Sequence, residues 1–346
     1  MRFYTKQHKY YCGIDLHARN LYVCIIDQSG QKLVHKDIAA IPESLHQLVK
    51  PYMDDLSIAV ECMFTWYWVS DFCLKYNITF VLGHALYMKA IHGSKTKNDK
   101  IDSHKIAMLL RGGLIPMAYV YPQAMRSTRD LLRRRMYFMY KRSELLAHIQ
   151  NTRSQYLVED FDGPVARKRH RHNILEKFHE QAVAKTIESD LSLLNHYDTV
   201  INSLENYLKR VVKEHKYNDF YLLRTVPGIG EILALVILYE IHDIRRFERV
   251  QNFTSYARLI KPHKESAGKI KGTSNKKIGN AYLKWAFSEA VLLLIREREE
   301  VKQLHLKLKN KHGKATALAI LSHKLGRAVY YMLRQRKVFD VHRFVN

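Results

Sequence analysis

Four acidic residues, Asp15, Glu61, Asp99 and Asp102, stand at the ends of apolar strand-like runs or at the start of a helical pattern. Asp15 ends the apolar run Tyr10-Tyr11-Cys12-Gly13-Ile14, and Glu61 directly follows Ser57-Ile58-Ala59-Val60. Asp99 and Asp102 are three residues apart where a helical pattern begins, so both lie on one face of its first turn. Each acid alone has an ordinary explanation. Asp99 and Asp102 complement a helix dipole, and Asp15 suits a turn, but Glu61 behind Ile-Ala-Val is poorly placed without a partner. Four converging carboxylates repel one another unless hard cations stand among them. Mg²⁺ accepts such oxygens, and two ions roughly 3.5–4 Å apart can serve the two sides of a phosphodiester. Asp15, Glu61, Asp99 and Asp102 are therefore the expected metal ligands. Asp27 also follows an apolar strand, but Gln28-Ser29-Gly30 behind it reads as turn chemistry.

A second centre is expected in the glycine-punctuated, cationic stretch from Leu259 to Asn280, read as a loop leading into a helix near Ala281. It holds Ser266 among Lys264, Lys269 and Lys271, with Lys276 and Lys277 further on. Lysines stabilise both a departing oxygen and the charge on a phosphoryl group under attack, which suits a nucleophilic serine. The same loop would equally grip a phosphate with Ser266 as a hydrogen-bond donor, and Ser274 competes for either role.

The elements that must position these groups can be read from periodicity. Residues 10–111 form an α/β pattern. Strands are expected at Tyr10–Asp15, Leu21–Ile26, around Lys32–His35, at Ser57–Val60 and at Ile78–Leu82, with helices at Ile41–Tyr52, Trp66–Lys75 and Ile101–Arg111. Three strands followed by helix–strand–helix–strand–helix is the order of a ribonuclease H-like (RuvC) fold, in which strand one lies beside strand four. Two long helices follow, over 126–157 and 174–214, around a polar break at Gly163-Pro164. In the second, Leu194, Tyr197, Ile201, Leu204, Leu208 and Val211 repeat at 3,4,3,4,3, a heptad seam that suits a coiled coil to a second copy or packing within the chain. Val226-Pro227-Gly228-Ile229-Gly230 before an apolar helix resembles the turn of a helix-hairpin-helix module, with Gly228 and Gly230 bringing backbone N–H groups to a DNA phosphate. Three domains are expected: 1–122 (RuvC-like), 123–216 (helical coiled-coil, basic) and 217–346 (mainly α).

Charge narrows the partners. The 346 residues carry 57 Lys+Arg against 33 Asp+Glu, a formal net charge of +24. Such a surplus is neutralised most naturally by phosphate backbones. It is concentrated between Arg126 and Arg171, where Arg133-Arg134-Arg135 and Arg167-Lys168-Arg169 are the expected nucleic-acid contacts. No apolar signal core and no long uncharged apolar run is present, so no membrane partner is expected. The four cysteines have neither zinc-site nor disulfide spacing, which fits a reducing cytoplasm.

Taken together, these blocks resemble the insertion-sequence-110 family of transposases, the DEDD recombinases related to the pilin-gene inverting proteins. The likeness runs from about Tyr11 to Asp340. It rests on Gly13-Ile14-Asp15, Ala59-Val60-Glu61, Lys97-Asn98-Asp99-Lys100-Ile101-Asp102-Ser103, and the C-terminal pair Val226–Gly230 and Ser266-Ala267-Gly268 with Lys277–Lys284. The resemblance implies a RuvC-like domain, a coiled coil and a C-terminal transposase domain. Asp15, Glu61, Asp99 and Asp102 would hold Mg²⁺, and Ser266 of another subunit would be the nucleophile. It also implies a structured guide (bridge) RNA pairing with donor and target DNA, a prokaryotic cytoplasm, and a homo-oligomer, a dimer of dimers if four strands are to be cut. Two places depart from the family pattern: Cys62-Met63-Phe64-Thr65-Trp66 replaces a small Ala-Thr-Gly run, and Ala267 stands where a glycine is usual.

Two other functions fit parts of the pattern. A RuvC-like junction nuclease using metal-activated water would need the four acids and not Ser266. A non-catalytic nucleic-acid-binding protein would need neither. No GxxxxGK[ST] loop is present, which suits rejoining through a covalent intermediate that conserves the phosphodiester's energy without ATP.

Overall fold

Alternation along the first strands decides the architecture of the N-terminal region. In β1 (Tyr10–Leu16), Cys12 and Ile14 face one side and Tyr11 and Gly13 the other, as a pleated strand requires. β2 (Asn20–Asp27) and β3 (Lys32–Ala39) extend the sheet antiparallel, while β4 (Leu56–Glu61) and β5 (Thr79–Gly83) join in parallel, in the order β3-β2-β1-β4-β5. One face carries α1 (Pro42–Val49) and α2 (Trp66–Lys75), whose Leu45, Val49, Val69 and Phe72 cover Ile14, Ile25, Ile58 and Val60. The helix α3 (Ala85–Ile91), which the periodicity does not predict, follows β5. The opposite face carries α4 (Asp99–Arg111), whose Ile106, Ala107 and Leu110 cover Tyr11, Cys24 and Ala59. The computed structural model describes residues 2–91, 98–215, 217–262, 264–272 and 278–346. The chain divides into two units, Met1–Gln123 and Ala124–Asn346.

Gly13 sets how closely α4 lies on the sheet. A Cβ there would stand 2.2 Å from the Ser103 carbonyl oxygen and 2.3 Å from the Ala107 nitrogen. Only a residue without a side chain lets the α4 backbone press onto β1. Asn98 caps the helix by accepting from the Lys100 N–H, and His35 Nε2 lies 2.8 Å from the Lys100 carbonyl oxygen, fixing the first turn that carries Asp99 and Asp102.

The second unit is helical. α5 (Gln123–Gln155) and α6 (Gln181–His215) are joined by a segment with single 3-10 turns at Lys168–His170 and Leu175–Lys177. α7 (Tyr217–Arg224), α8 (Glu231–Ile241), α9 (Val250–Tyr256), the hairpin β6 (Lys264–Ser266) and β7 (Lys269–Gly272), α10 (Ala281–Glu297), α11 (Glu299–His312), α12 (Lys314–Gln335) and α13 (Val341–Val345) complete it. Its core forms around α8, which is buried along nearly its whole length, with α5 contributing Met125, Leu132 and Met136.

Part of the heptad seam packs within the chain. Leu194, Ile201 and Leu208 are buried within the chain, and Leu194 shares a cluster with Ile149 of α5. Tyr197 meets the Phe138 ring, Arg142 Nε donates to Asp198 at 2.6 Å, and Arg135 pairs with Glu205. A period-3.5 apolar stripe states only that a helix surface faces it. Here elements of the same chain, α5 among them, supply part of such a surface.

The segment read as a loop around Ser266 is a hairpin, because the turn and not an apolar pattern makes it. Ala267 (φ 51°) and Gly268 (φ 71°) are both left-handed, the backbone of a two-residue type I′ turn. Alanine in that conformation costs about 1 kcal/mol or more, which is the physical meaning of the missing glycine at 267. No described helix is long and apolar enough to cross a membrane.

Candidate active site

The odd-numbered residues of β1 and β4 face α4, so Gly13 and Asp15 stand beside Ala59 and Glu61 on that side. The parallel register pairs Gly13 with Ala59 and Ile14 with Val60, which brings Asp15 and Glu61 to neighbouring strand ends. The start of α4 supplies Asp99 and Asp102 to the same region. Asp15, His17 and Asp99 each offer one ligand atom, and these atoms lie within 4.8 Å of one another. His17 Nε2 is 3.5 Å from Asp15 Oδ2 and 3.2 Å from Asp99 Oδ2, and Lys105 Nζ is 3.5 Å from Asp102 Oδ1.

Burial raises the pKa of Asp15 from its ordinary value; His17 opposes the rise, while the charges of Asp99 and Asp102 add to it. Asp15 is thus strained in its charged form. His17 is the residue the sequence reading missed. Its signal was present: Asp15 and His17 are two apart at a strand end and so share a face.

Ser266 closes β6 opposite Lys269, with Ser266, Lys269 and Lys271 all exposed. The side chain of Lys264 and all of Ser274, Lys276 and Lys277 lie outside the described residues. Asn280 anchors the end of this segment. Its side chain accepts from the Tyr282 and Leu283 N–H groups to cap α10, and its Nδ2 donates to Glu240 at 2.7 Å.

The two basic runs fare differently. Arg133–Arg135 does not offer three cations to solvent. Arg133 Nε donates to Glu240 at 2.7 Å and its guanidinium lies over the Tyr282 ring, while Arg135 is buried on Glu205. Only Arg134 is exposed, over Tyr137 and Phe138. Charge counting cannot see these pairs, because the acids that satisfy them lie 70 and 107 residues away. Arg167, Lys168 and Arg169 are exposed. A further basic groove of about 490 Å³ is lined by Arg249, Arg327, Arg334 and Tyr331, together with Glu248.

Gly228 and Gly230 separate likewise. Gly228 (φ 86°) would place a Cβ 2.7 Å from the Leu294 nitrogen, so it serves close packing of the turn against α10. Gly230 is exposed at the N-cap of α8, where nothing would crowd a Cβ. Glu231 in that first turn is paired with Lys209 at 2.7 Å.

Comparison with known proteins adds what geometry alone does not. Residues 12–157 match the family model of DEDD transposases of the IS110 type, and residues 221–306 match the transposase IS116/IS110/IS902 family. The chain belongs to the IS110 family of transposases. It is also similar to the transposase for insertion sequence element IS1111A of Coxiella burnetii (strain RSA 493 / Nine Mile phase I), 26% identical over 151 residues. That likeness covers 42% of this chain and 41% of the relative's length.

A DEDD transposase implies a divalent cation, and the residues present fit one. Oxygen donors from Asp15 and Asp99 and a nitrogen from His17 converge on one place. The carboxylate among them is destabilised by burial and by like charge, which a bound dication relieves.

Proposed function

We propose that this transposase cuts and rejoins DNA strands through a phosphoserine linkage at Ser266, with Mg²⁺ held by Asp15, Glu61, Asp99 and Asp102 in a ribonuclease H-like unit. The observation that carries the reading is the convergence of Asp15 and Asp99 at the end of β1, where Gly13 lets α4 settle. The strand order β3-β2-β1-β4-β5, antiparallel then parallel, supports the ribonuclease H-like assignment.

The Ser266 Oγ attacks the phosphorus, a P–O bond of the strand breaks, and the departing oxygen takes a proton. The hydroxyl of an incoming strand then attacks the phosphoserine and frees the serine. When bound, the dication supplies positive charge that lowers the hydroxyl's proton affinity and offsets charge on the phosphoryl oxygens. Lys269 and Lys271, exposed beside Ser266, and Lys264, Lys276 and Lys277 from the same segment counter the remaining charge. In this reading Ser266 is delivered to the carboxylates from another subunit, in a dimer of dimers.

The partners in this reading are donor and target DNA and a structured guide RNA. Arg167, Lys168 and Arg169 are the exposed contacts for a phosphate backbone, and Gly230 at the α8 N-terminus offers backbone N–H groups. Replacing Arg167, Lys168 and Arg169 by alanine lowers the slope of log affinity against log salt by about 2–3. Arg133→Ala leaves the slope as it is and lowers stability instead. A triple variant with the parent's slope would place the binding charge elsewhere.

The deciding experiment seeks the covalent intermediate. Parent protein trapped on DNA in Mg²⁺ carries an adduct that survives boiling in detergent and appears as a mass shift on the Ser266 peptide. Ser266→Ala binds DNA and RNA like the parent and forms none. Cleavage by Ser266→Ala at the parent rate would favour a nuclease using activated water. An adduct on Ser274 would move the nucleophile and keep the chemistry.

A further inference from the structure

We propose that His17 is itself a ligand of the divalent cation, making this a mixed nitrogen–oxygen centre that favours Mn²⁺ over Mg²⁺. The inference rests on the reading of Asp15 and Asp99 as metal ligands and adds a residue that the four-carboxylate pattern does not contain.

His17 stands between two acids rather than on one. One nitrogen, Nε2, faces two carboxylate oxygens, at 3.5 Å from Asp15 and 3.2 Å from Asp99. A charge-assisted N–H···O bond is shorter, about 2.7–2.9 Å, and a single N–H cannot point well at both acceptors. The separations are instead those between neighbouring ligand atoms around one ion. With metal–ligand bonds of about 2.0–2.2 Å, adjacent donors stand about 3 Å apart in octahedral geometry and about 3.5 Å apart in tetrahedral geometry.

Among the described residues, the charged neighbours of the ring are Asp15 and Asp99. The His17 side chain is 50% exposed, so it fills no core. Its backbone is pinned, because the His17 N–H donates to the Asn20 carbonyl oxygen at 3.0 Å across the tight turn between β1 and β2. Asn20 is held in turn by Asp37, to which its Nδ2 donates at 2.8 Å. The turn therefore presents the imidazole on the α4 side of the sheet end, where the carboxylates are.

An imidazole ligand has a chemical consequence. Mg²⁺ prefers oxygen donors and gives up water reluctantly, whereas first-row transition ions accept imidazole readily. The centre should hold Mn²⁺ more tightly than an all-oxygen site would, with little gain for Mg²⁺.

The test uses the full chain and Mn²⁺ as the probe. Free Mn²⁺ is titrated by electron paramagnetic resonance, and ligand nitrogen is read by electron spin echo modulation, for the parent, His17→Gln and Asp15→Asn. The parent is expected to show nitrogen coupling. His17→Gln should lose it and bind Mn²⁺ at least about 10-fold more weakly, with Mg²⁺ affinity, measured by competition, changed by less than half as much on a logarithmic scale. Nitrogen coupling absent from the parent, or persisting in His17→Gln while Asp15→Asn loses Mn²⁺, overturns the role of His17 and leaves the carboxylate site standing. If both variants bind Mn²⁺ like the parent, the metal site itself is misplaced. Should His17→Gln fail to fold, His17→Asn is measured in its place, with the same expected and overturning results.

Discussion

Asp15→Asn lowers strand cleavage at least about 100-fold while leaving the chelated protein as stable as the parent or more so. Partners that only orient a metal ligand are worth about 10–100-fold, so loss of a ligand itself costs no less. The stability half of the result follows from the surroundings of Asp15. Burial disfavours its charge, and Asp99 and Asp102 add repulsion that His17 only partly offsets. An amide of the same shape removes the charge and keeps the packing of α4 on Gly13. Melting in a chelator and again in excess Mg²⁺ checks both halves: the added ion should raise the parent's midpoint and leave the variant's unchanged. A variant that cleaves near the parent rate, or that unfolds without metal, would show that Asp15 is structural.

Glu240→Gln destabilises the helical unit by about 3 kcal/mol or more. Glu240 is almost fully buried, and Arg129 Nε, Arg133 Nε and Nη2, and Asn280 Nδ2 all donate to its carboxylate. Removing one partner of a buried ion pair leaves an uncompensated charge, at a cost of about 3–5 kcal/mol. Here two guanidiniums lose their anion together. The same site sets an acid limit. Burial alone would raise the Glu240 pKa, but the Arg133 hydrogen bond, the charges of Arg129 and Arg133, and Asn280 hold it below the ordinary value. A depressed folded pKa contributes stability that is complete above the unfolded value, about 4.3, and is lost as pH falls through the folded one. Denaturant midpoints measured from pH 7 down to 3 should therefore fall more steeply for the parent than for Glu240→Gln, with the two curves converging in acid. A constant gap, or none at pH 7, would contradict this account. Asn280 also caps α10 at the end of the serine segment, so the variant should bring added proteolysis between Pro262 and Asn280.

Local order determines much of this protein. Short apolar runs located β1, β2 and β4 to within a residue or two and placed Asp15 and Glu61 at strand ends. The spacing of Asp99 and Asp102 gave one face of a helical turn, and α4 begins at Asp99. The blocks around the acids and around Ser266 pointed to a transposase family that the chain belongs to. These features are legible because backbone geometry repeats over two to four residues, and a sequence displays that period directly.

Pairing across long separations is different, and the tertiary structure alone decided it. Arg133 and Arg135 read as surface charge until Glu240 and Glu205 are brought to them, while Arg167, Lys168 and Arg169 stay exposed. The seam from Leu194 to Leu208 carries the same apolar period whether its partner is a second copy or α5. The left-handed Ala267 follows from the closing of the hairpin, not from any preference of alanine. The packing of α4 on Gly13 is what brings Asp99 to 3.2 Å from His17. A sequence records which groups are charged or apolar, but the free energy of each depends on what folding places within a few ångströms of it.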